Sequence, residues 1–266
     1  METRVVLITG ISSGFGLESA KLLSEKGYVV YGTVRREVEH IPGVRYLMAD
    51  VRKTETVQAA VETVIAEQGH IDMLVNNAGM GIGGPIEFTP EEDIELQMDT
   101  NFMGMVRFSK AVLPYMRGRK GGKIVFLSSI GGLMGLPFQG FYSASKFAIE
   151  AYAEALRMEV HAYGISVSLI TPGDFSTGFT AKRKKIAPEV AEAYPVYALS
   201  MSKIENDEGH GLKPVRVAET VAKIARARHP RNRYIVATLE QSLSVLLKAI
   251  LPSPLFSRIL RGYYKM

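Results

Sequence analysis

The 266-residue sequence contains no cysteine and no tryptophan. Without cysteine there is no disulfide framework, no thiolate zinc or iron–sulfur site and no thiol nucleophile. That usage fits a reducing, cytoplasmic setting. Long apolar runs are missing too. Val5, Val6, Leu7 and Ile8 make a run too short for a secretory signal core. Residues 243–251 are the longest apolar stretch near the end, but Ser244 and Lys248 interrupt it and Pro252 stops it. It is too short to span a bilayer. The five histidines are scattered without ligand spacing, so no metal is expected.

What is present is a large core and an uneven charge. At 47% hydrophobic residues the chain buries a sizeable core and is not generally disordered. The formal net charge of +5 is concentrated at one end, since residues 213–266 hold eleven Lys/Arg against only Glu219 and Glu240. The plain reading is a solvated basic face; the alternatives are acidic lipid, nucleic acid or a phosphorylated ligand. Nucleic acid is set aside because it calls for aromatics interleaved with the charges, and only Tyr234, Phe256, Tyr263 and Tyr264 are there. A weak contact with a membrane surface, through the Lys182-Arg183-Lys184-Lys185 run or residues 243–260, stays open.

Short β-branched runs alternate with amphipathic stretches. Strands are expected at 5–8, 28–34, 44–48, 71–75, 123–127, 166–170 and 234–237. Helices are expected at 17–26, 54–68, 91–116 (interrupted at Pro114) and 143–163. That alternation predicts a single-domain, doubly wound parallel sheet of Rossmann type over residues 1–266, with helices on both faces. Residues 174–213 break the rhythm and read as an irregular substrate lid whose Lys182–Lys185 run is a solvated face; residues 243–266 form a basic C-terminal segment.

Thr9-Gly10-Ile11-Ser12-Ser13-Gly14-Phe15-Gly16 lies between the first strand and the first helix. Glycines there permit a tight turn and close approach of backbone to a pyrophosphate, and the helix N-terminus supplies free N–H groups. An acid at the end of the second strand would hold the ribose hydroxyls of NAD. This chain has Val34 there, followed by Arg35 and Arg36, and guanidinium suits a 2′-phosphate. The expected cofactor is therefore NADP(H). Asp50 and Val51 after the third strand suit an adenine, and Asn76, Asn77, Ala78 and Gly79 after the fourth let backbone pass a ribose. Met80, Ile82, Leu133, Met134, Leu136 and Phe138 lie on loops expected to wall an apolar pocket.

Ser129 follows the fifth strand, and Tyr142 and Lys146 are four residues apart on one helical face. An ammonium near a phenol is expected to pull its pKa down towards working pH, so that it exchanges a proton with a carbonyl or alcohol oxygen.

Taken together, the residue 9–16 motif, Asn76–Gly79 run, Asn101, Ser129, Tyr142, Lys146 and Pro172-Gly173 resemble the short-chain dehydrogenase/reductase family over roughly residues 1–180. Within it, residues 30–35, 131–138 and 145–148 resemble the 17β-hydroxysteroid and retinol dehydrogenase branch. The resemblance implies Tyr142 as general acid/base, Ser129 as substrate-orienting group and Lys146 as ribose ligand. It implies that Asn101 holds a water linked to Lys146, and that Phe175 and Thr177 contact the nicotinamide amide. It also implies a homodimer or homotetramer through the helices at 91–116 and 143–163. The expected activity is hydride transfer between NADP(H) and a small apolar secondary alcohol or ketone. A 3-oxoacyl-thioester reductase and a non-catalytic NADP(H) sensor are the rivals.

Overall fold

The computed structural model describes residues 4–186 and 193–266, so residues 187–192 of the expected lid lie outside the described residues. Seven strands form one parallel sheet: β1 (Val5–Ile8), β2 (Val29–Val34), β3 (Val44–Met48), β4 (Met73–Asn76), β6 (Gly122–Leu127), β7 (Ile165–Pro172) and β9 (Arg233–Val236). Their order across the sheet is β3-β2-β1-β4-β6-β7-β9. A two-residue pair, β5 (Ile82–Gly83) and β8 (Lys184–Lys185), stands apart from it. The sequence does not announce that pair, because two residues carry no periodicity.

The central strands are buried on both faces, which is why they read as continuous apolar runs rather than alternations. Helices α2 (Thr54–Gln68), α4 (Gly104–Arg119) and α5 (Gly140–Val160) cover one face through Val61, Phe108, Val112 and Ile149. Helices α1 (Gly14–Glu25) and α8 (Val215–Arg226) cover the other through Leu23, Val217, Val221 and Ile224. At the C-terminal end of α8, Lys123 Nζ donates to Ala225 O (2.6 Å) and Arg4 Nη1 donates to the same oxygen (2.8 Å). These cations satisfy a helix-end carbonyl that no amide reaches.

From β1 the chain winds outward to β2 and β3, then returns to pair β4 on the other side of β1. At such a switch point the loops following β1 and β4 diverge and leave a crevice at the strands' carboxyl ends.

Two expected elements are corrected. Pro114 does not interrupt its helix; α4 runs through it to Arg119. Proline removes one amide bond there, but Phe108, Val112 and Met116 anchor both halves on the sheet and Lys110, whose carbonyl loses its partner, is on the exposed side. The break in this stretch comes earlier, as a π-turn at Asp99–Met103 between α3 (Glu91–Met98) and α4.

The described part of residues 174–213 is not irregular. It holds α6 (Phe179–Lys182), β8 and α7 (Tyr197–Gly209), and Phe175 bridges to Leu212. The basic run is not simply a solvated face either. Arg183 is buried and paired with Glu208, Lys184 pairs with Asp93 (2.6 Å) and Lys185 with Glu205 (2.6 Å). Those carboxylates come from α3 and α7, far enough in sequence that the run's pattern could not reveal them. The chain ends in α9 (Leu239–Ile250) and α10 (Ser253–Tyr263).

Candidate active site

A cavity of about 680 Å³ opens at the switch point, lined by the glycine loop, by α5 and by residues of α9 and α10. Gly10 (φ +72°) and Gly14 (φ +58°) take the left-handed conformation that glycine adopts without strain. A Cβ on Gly16 would come within 2.4 Å of both Asn77 Nδ2 and Gly10 O, so α1 packs against the β4 loop only with glycine there. Asn77 Nδ2 donates to Thr9 O (2.8 Å) and Gly10 O (2.9 Å), while Thr9 Oγ1 accepts from the amides of Asn77 and Ala78. Asn77 thus ties the loops after β1 and β4 together.

Ser13 precedes α1 in extended conformation, and its side chain does not cap the helix. Its hydroxyl accepts instead from Lys182 Nζ (2.9 Å). The first-turn amides of α1 are left facing a cavity lined by Ser12, Ser13, Gly14 and Phe15, the setting in which phosphate binds. Ala78, Gly79, Val51, Arg35, Gly173, Pro172, Phe175 and Thr177 also line this space. A glycine cradle, an uncapped helix N-terminus and adjacent cations are the donor set a dinucleotide requires, so the residues fit such a cofactor.

Asp50 does not line the cavity. Arg52 holds it bidentately (2.6 and 3.0 Å), which keeps its carboxyl below the usual carboxylate range. Arg52 faces the cavity in its place. Gly16 and Asn101 also lie behind the cavity wall.

Tyr142 sits in the first turn of α5 and Lys146 one turn later. The helix begins three residues before the expected start, which draws both groups firmly into helical geometry. Both line the cavity with Ser129. The position a Cβ would take on Gly131 is 3.4 Å from the Tyr142 ring and 3.5 Å from Ser129 Oγ, so both side chains border this glycine. Gly131 N donates to Ser129 Oγ (3.1 Å) and fixes its direction.

Lys146 is buried, and its Nζ donates to Leu127 O at the end of β6 (2.8 Å) while lying 5.7 Å from the Tyr142 ring centroid. The expected pull of this ammonium on the phenol is therefore corrected. Burial dominates and pushes Tyr142 up to about 12, with a Ser129 hydrogen bond pulling the other way. Burial also pushes Lys146 down to about 8, opposed by Glu150. The ammonium donates to a backbone carbonyl and lies beside the Tyr142 ring.

Asn101 sits in the π-turn. Its Oδ1 accepts from Met80 N (2.8 Å), and its Nδ2 donates to Met80 O (2.9 Å) and Ser145 Oγ (3.1 Å). It clasps the loop after β4 to α5, and thereby holds the Tyr142 helix in place.

These features have a family. The sequence profile of the short chain dehydrogenase family matches residues 4–187. The chain belongs to the short-chain dehydrogenase/reductase family. It is 47% identical to the 3-ketodihydrosphingosine reductase of Bacteroides thetaiotaomicron over 266 residues, covering 99% of each protein. It is 36% identical to human 17-beta-hydroxysteroid dehydrogenase type 1, covering 92% of this chain and 80% of that protein. A short-chain dehydrogenase structure from Streptomyces avermitilis superposes with a TM-score of 0.81 at 27% identity, covering 98% of each chain. The family's fold binds a nicotinamide cofactor, and related structures hold NAD in some cases and NADP in others.

Several groups at the site escaped the sequence reading. Lys182 adds a cation at the glycine loop, and Arg52 adds one elsewhere on the cavity wall. Asp174, Asp207 and Glu208 add acids on the cavity wall near Tyr142. Glu208 pairs with Arg183, and Asp207 with Lys203 (2.6 Å). Asp174 has no Lys or Arg partner among the described residues; Gln241 Nε2 donates to it (2.6 Å).

Burial, with Glu208 and Asp207 nearby, pushes Asp174 up to about 6. A carboxyl raised in the folded state is a stability cost once ionised, so stability should decline as pH rises from about 4 to about 6. Asp174→Asn removes that cost and should stabilise the protein by about 1–2 kcal/mol at neutral pH, allowing for screening. Thermal melts of both proteins should separate at neutral pH and converge near pH 4. Equal melts at neutral pH would show that the charge costs nothing there.

Proposed function

We propose that this enzyme uses NADPH to reduce the keto group of a long-chain 3-keto lipid amine of the 3-ketodihydrosphingosine kind. The observation that carries the reading is a 47% identity that spans 99% of both chains, and so includes the substrate-facing residues after 180. The shape of the cavity supports it. Its lining combines Tyr142, Ser129 and the acids Asp174, Asp207 and Glu208 with the apolar side chains Leu243, Leu247, Phe256, Ile259 and Leu260. An amine-bearing head would meet Asp174, which has no Lys or Arg partner among the described residues, and an alkyl chain would meet the apolar wall.

When bound, the dinucleotide supplies the hydride to the carbonyl carbon. Ser129 Oγ, directed by Gly131 N, holds the carbonyl oxygen by a hydrogen bond. Tyr142 gives its hydroxyl proton to that oxygen, which leaves a phenolate beside the cavity and completes the alcohol. Lys146, positively charged at neutral pH, stabilises that phenolate and would bind the nicotinamide ribose. Phe175 and Thr177 would meet the nicotinamide amide. Glycine-loop amides, Arg52 and Lys182 would take the phosphates, and Arg35 the 2′-phosphate.

Turnover with NADPH on a panel of 3-ketodihydrosphingosine, its N-acetyl derivative, a 3-oxoacyl thioester and estrone tests the reading. The free amino ketone should lead. N-acetylation should lower kcat/KM by about 10–100-fold, the worth of one charge-assisted hydrogen bond. A thioester or steroid preferred over the amino ketone would overturn it. A basic lid would suit the acidic carrier of a thioester, but Arg183, Lys184 and Lys185 are already engaged by carboxylates.

A further inference from the structure

The two C-terminal helices carry more apolar surface than the fold covers. In α9, Leu239, Leu243, Leu246 and Ile250 follow one another at helical spacing on one stripe, and all are more than half exposed. No residue of this twelve-residue helix is buried. In α10, Leu255 and Ile259, one turn apart, are also exposed, whereas Phe256 and Tyr264 point into the protein. A monomer's exposed apolar residues are normally scattered singly; a stripe at 3.6-residue spacing is a face.

Charge says what would cover it. From residue 239 to the end, Lys248, Arg258, Arg261 and Lys265 are opposed by Glu240 alone. A second copy of the chain packed face to face would bring like charges together. An anionic bilayer would take the leucines among its acyl chains and the cations among its headgroups. Long Lys and Arg stems reach the headgroup level while their methylenes stay in the apolar layer. No helix among the described residues is long and apolar enough to cross a membrane, so the contact is along the surface.

The same face borders the mouth of the cavity. Leu243 and Ile259 are exposed and also line the cavity that leads to Tyr142. We propose that α9 and α10 form a docking surface for anionic membrane, placing the apolar wall of the active-site cavity against the bilayer so that a lipid substrate enters without crossing water. This goes beyond the substrate reading, since docking needs no particular ketone.

Co-sedimentation of the full chain with vesicles tests it, using phosphatidylcholine alone and phosphatidylcholine mixed with phosphatidylglycerol. The protein should pellet with the anionic vesicles and be released by salt. Leu246→Glu with Ile250→Glu, outside the cavity wall, should weaken binding at least about tenfold. Lys248→Ala, Arg258→Ala and Arg261→Ala together should weaken it on the order of 100-fold. Both variants should keep wild-type melting and wild-type turnover of a short water-soluble ketone. Equal pelleting with neutral and anionic vesicles, or no loss in either variant, would overturn the proposal. So would a soluble dimer that the glutamate pair converts to monomer, because that would assign the face to a second copy. Vesicle binding is read without turnover, so a wrong substrate assignment leaves this result standing.

Discussion

Tyr142→Phe is expected to lower turnover by roughly 10²–10⁴-fold while dinucleotide affinity stays near wild type, measured by stopped-flow and by fluorescence titration. The hydroxyl is hydrogen-bonded to Ser129, where the reacting oxygen would sit, and phenylalanine keeps the ring. The ring touches Phe179 (centroids 5.8 Å) and faces Lys146, so packing is preserved. Lys146→Ala should lose both turnover and nucleotide affinity, because its ammonium supports the phenolate and would bind the ribose. Full activity in Tyr142→Phe with a good substrate would remove the acid/base assignment.

The same geometry sets the direction of the pH effect. With Tyr142 pushed up to about 12, the phenol holds its proton throughout the neutral range and is poised as an acid, the form that reduction needs. Lys146, brought down to about 8, loses its charge first as pH rises. Reduction should therefore be level near neutrality and fall through the range around 8, whereas oxidation, which needs phenolate, should gain as pH rises. A reduction rate that climbed steadily above pH 8 would show that Lys146 does not serve the proton donor.

Much of this site was legible from type and order. Seven strands, the glycine loop and the Ser129, Tyr142, Lys146 set are local signals: apolar runs bounded by turn formers, glycines at a strand–helix junction, two side chains one helical turn apart. What escaped was set by partners distant in sequence. Arg183 looked solvated within a basic run, and only folding brings Glu208 to it. The π-turn that presents Asn101 depends on its amide meeting Met80 and Ser145, and nothing in residues 99–103 alone marks it. Asn101's grip on two elements also shows why it occupies a buried position that a plain helix would give to an apolar residue. The elevated pKa of Asp174 comes from burial and from α7 acids, which periodicity cannot place beside it.

Cofactor choice should be decided at the end of β2. Val34 is buried, lines the cavity and cannot accept a hydrogen bond through its side chain. No carboxylate there is available to hold two ribose hydroxyls or to repel a 2′-phosphate. Arg35, the next residue, is exposed and faces the same space, and no acid pairs with it among the described residues. Its guanidinium can meet a 2′-phosphate with charge-assisted hydrogen bonds, each contributing about 1.5–3 kcal/mol. NADP(H) should therefore bind on the order of 10–100-fold more tightly than NAD(H). Arg52 is spoken for by Asp50, and Lys182 lies at the glycine loop against Ser13, so neither should carry this discrimination. Arg35→Ala should weaken NADP(H) selectively, and Val34→Asp combined with Arg35→Ala should reverse the preference by placing an acid where the ribose hydroxyls come. Because Arg35 is exposed, added salt should narrow the gap. Fluorescence titration of both cofactors into the wild type reads the preference directly. Tighter NAD(H) binding would withdraw the role given to Arg35 and leave the acid/base site untouched, since Tyr142 and Lys146 stand on a different helix.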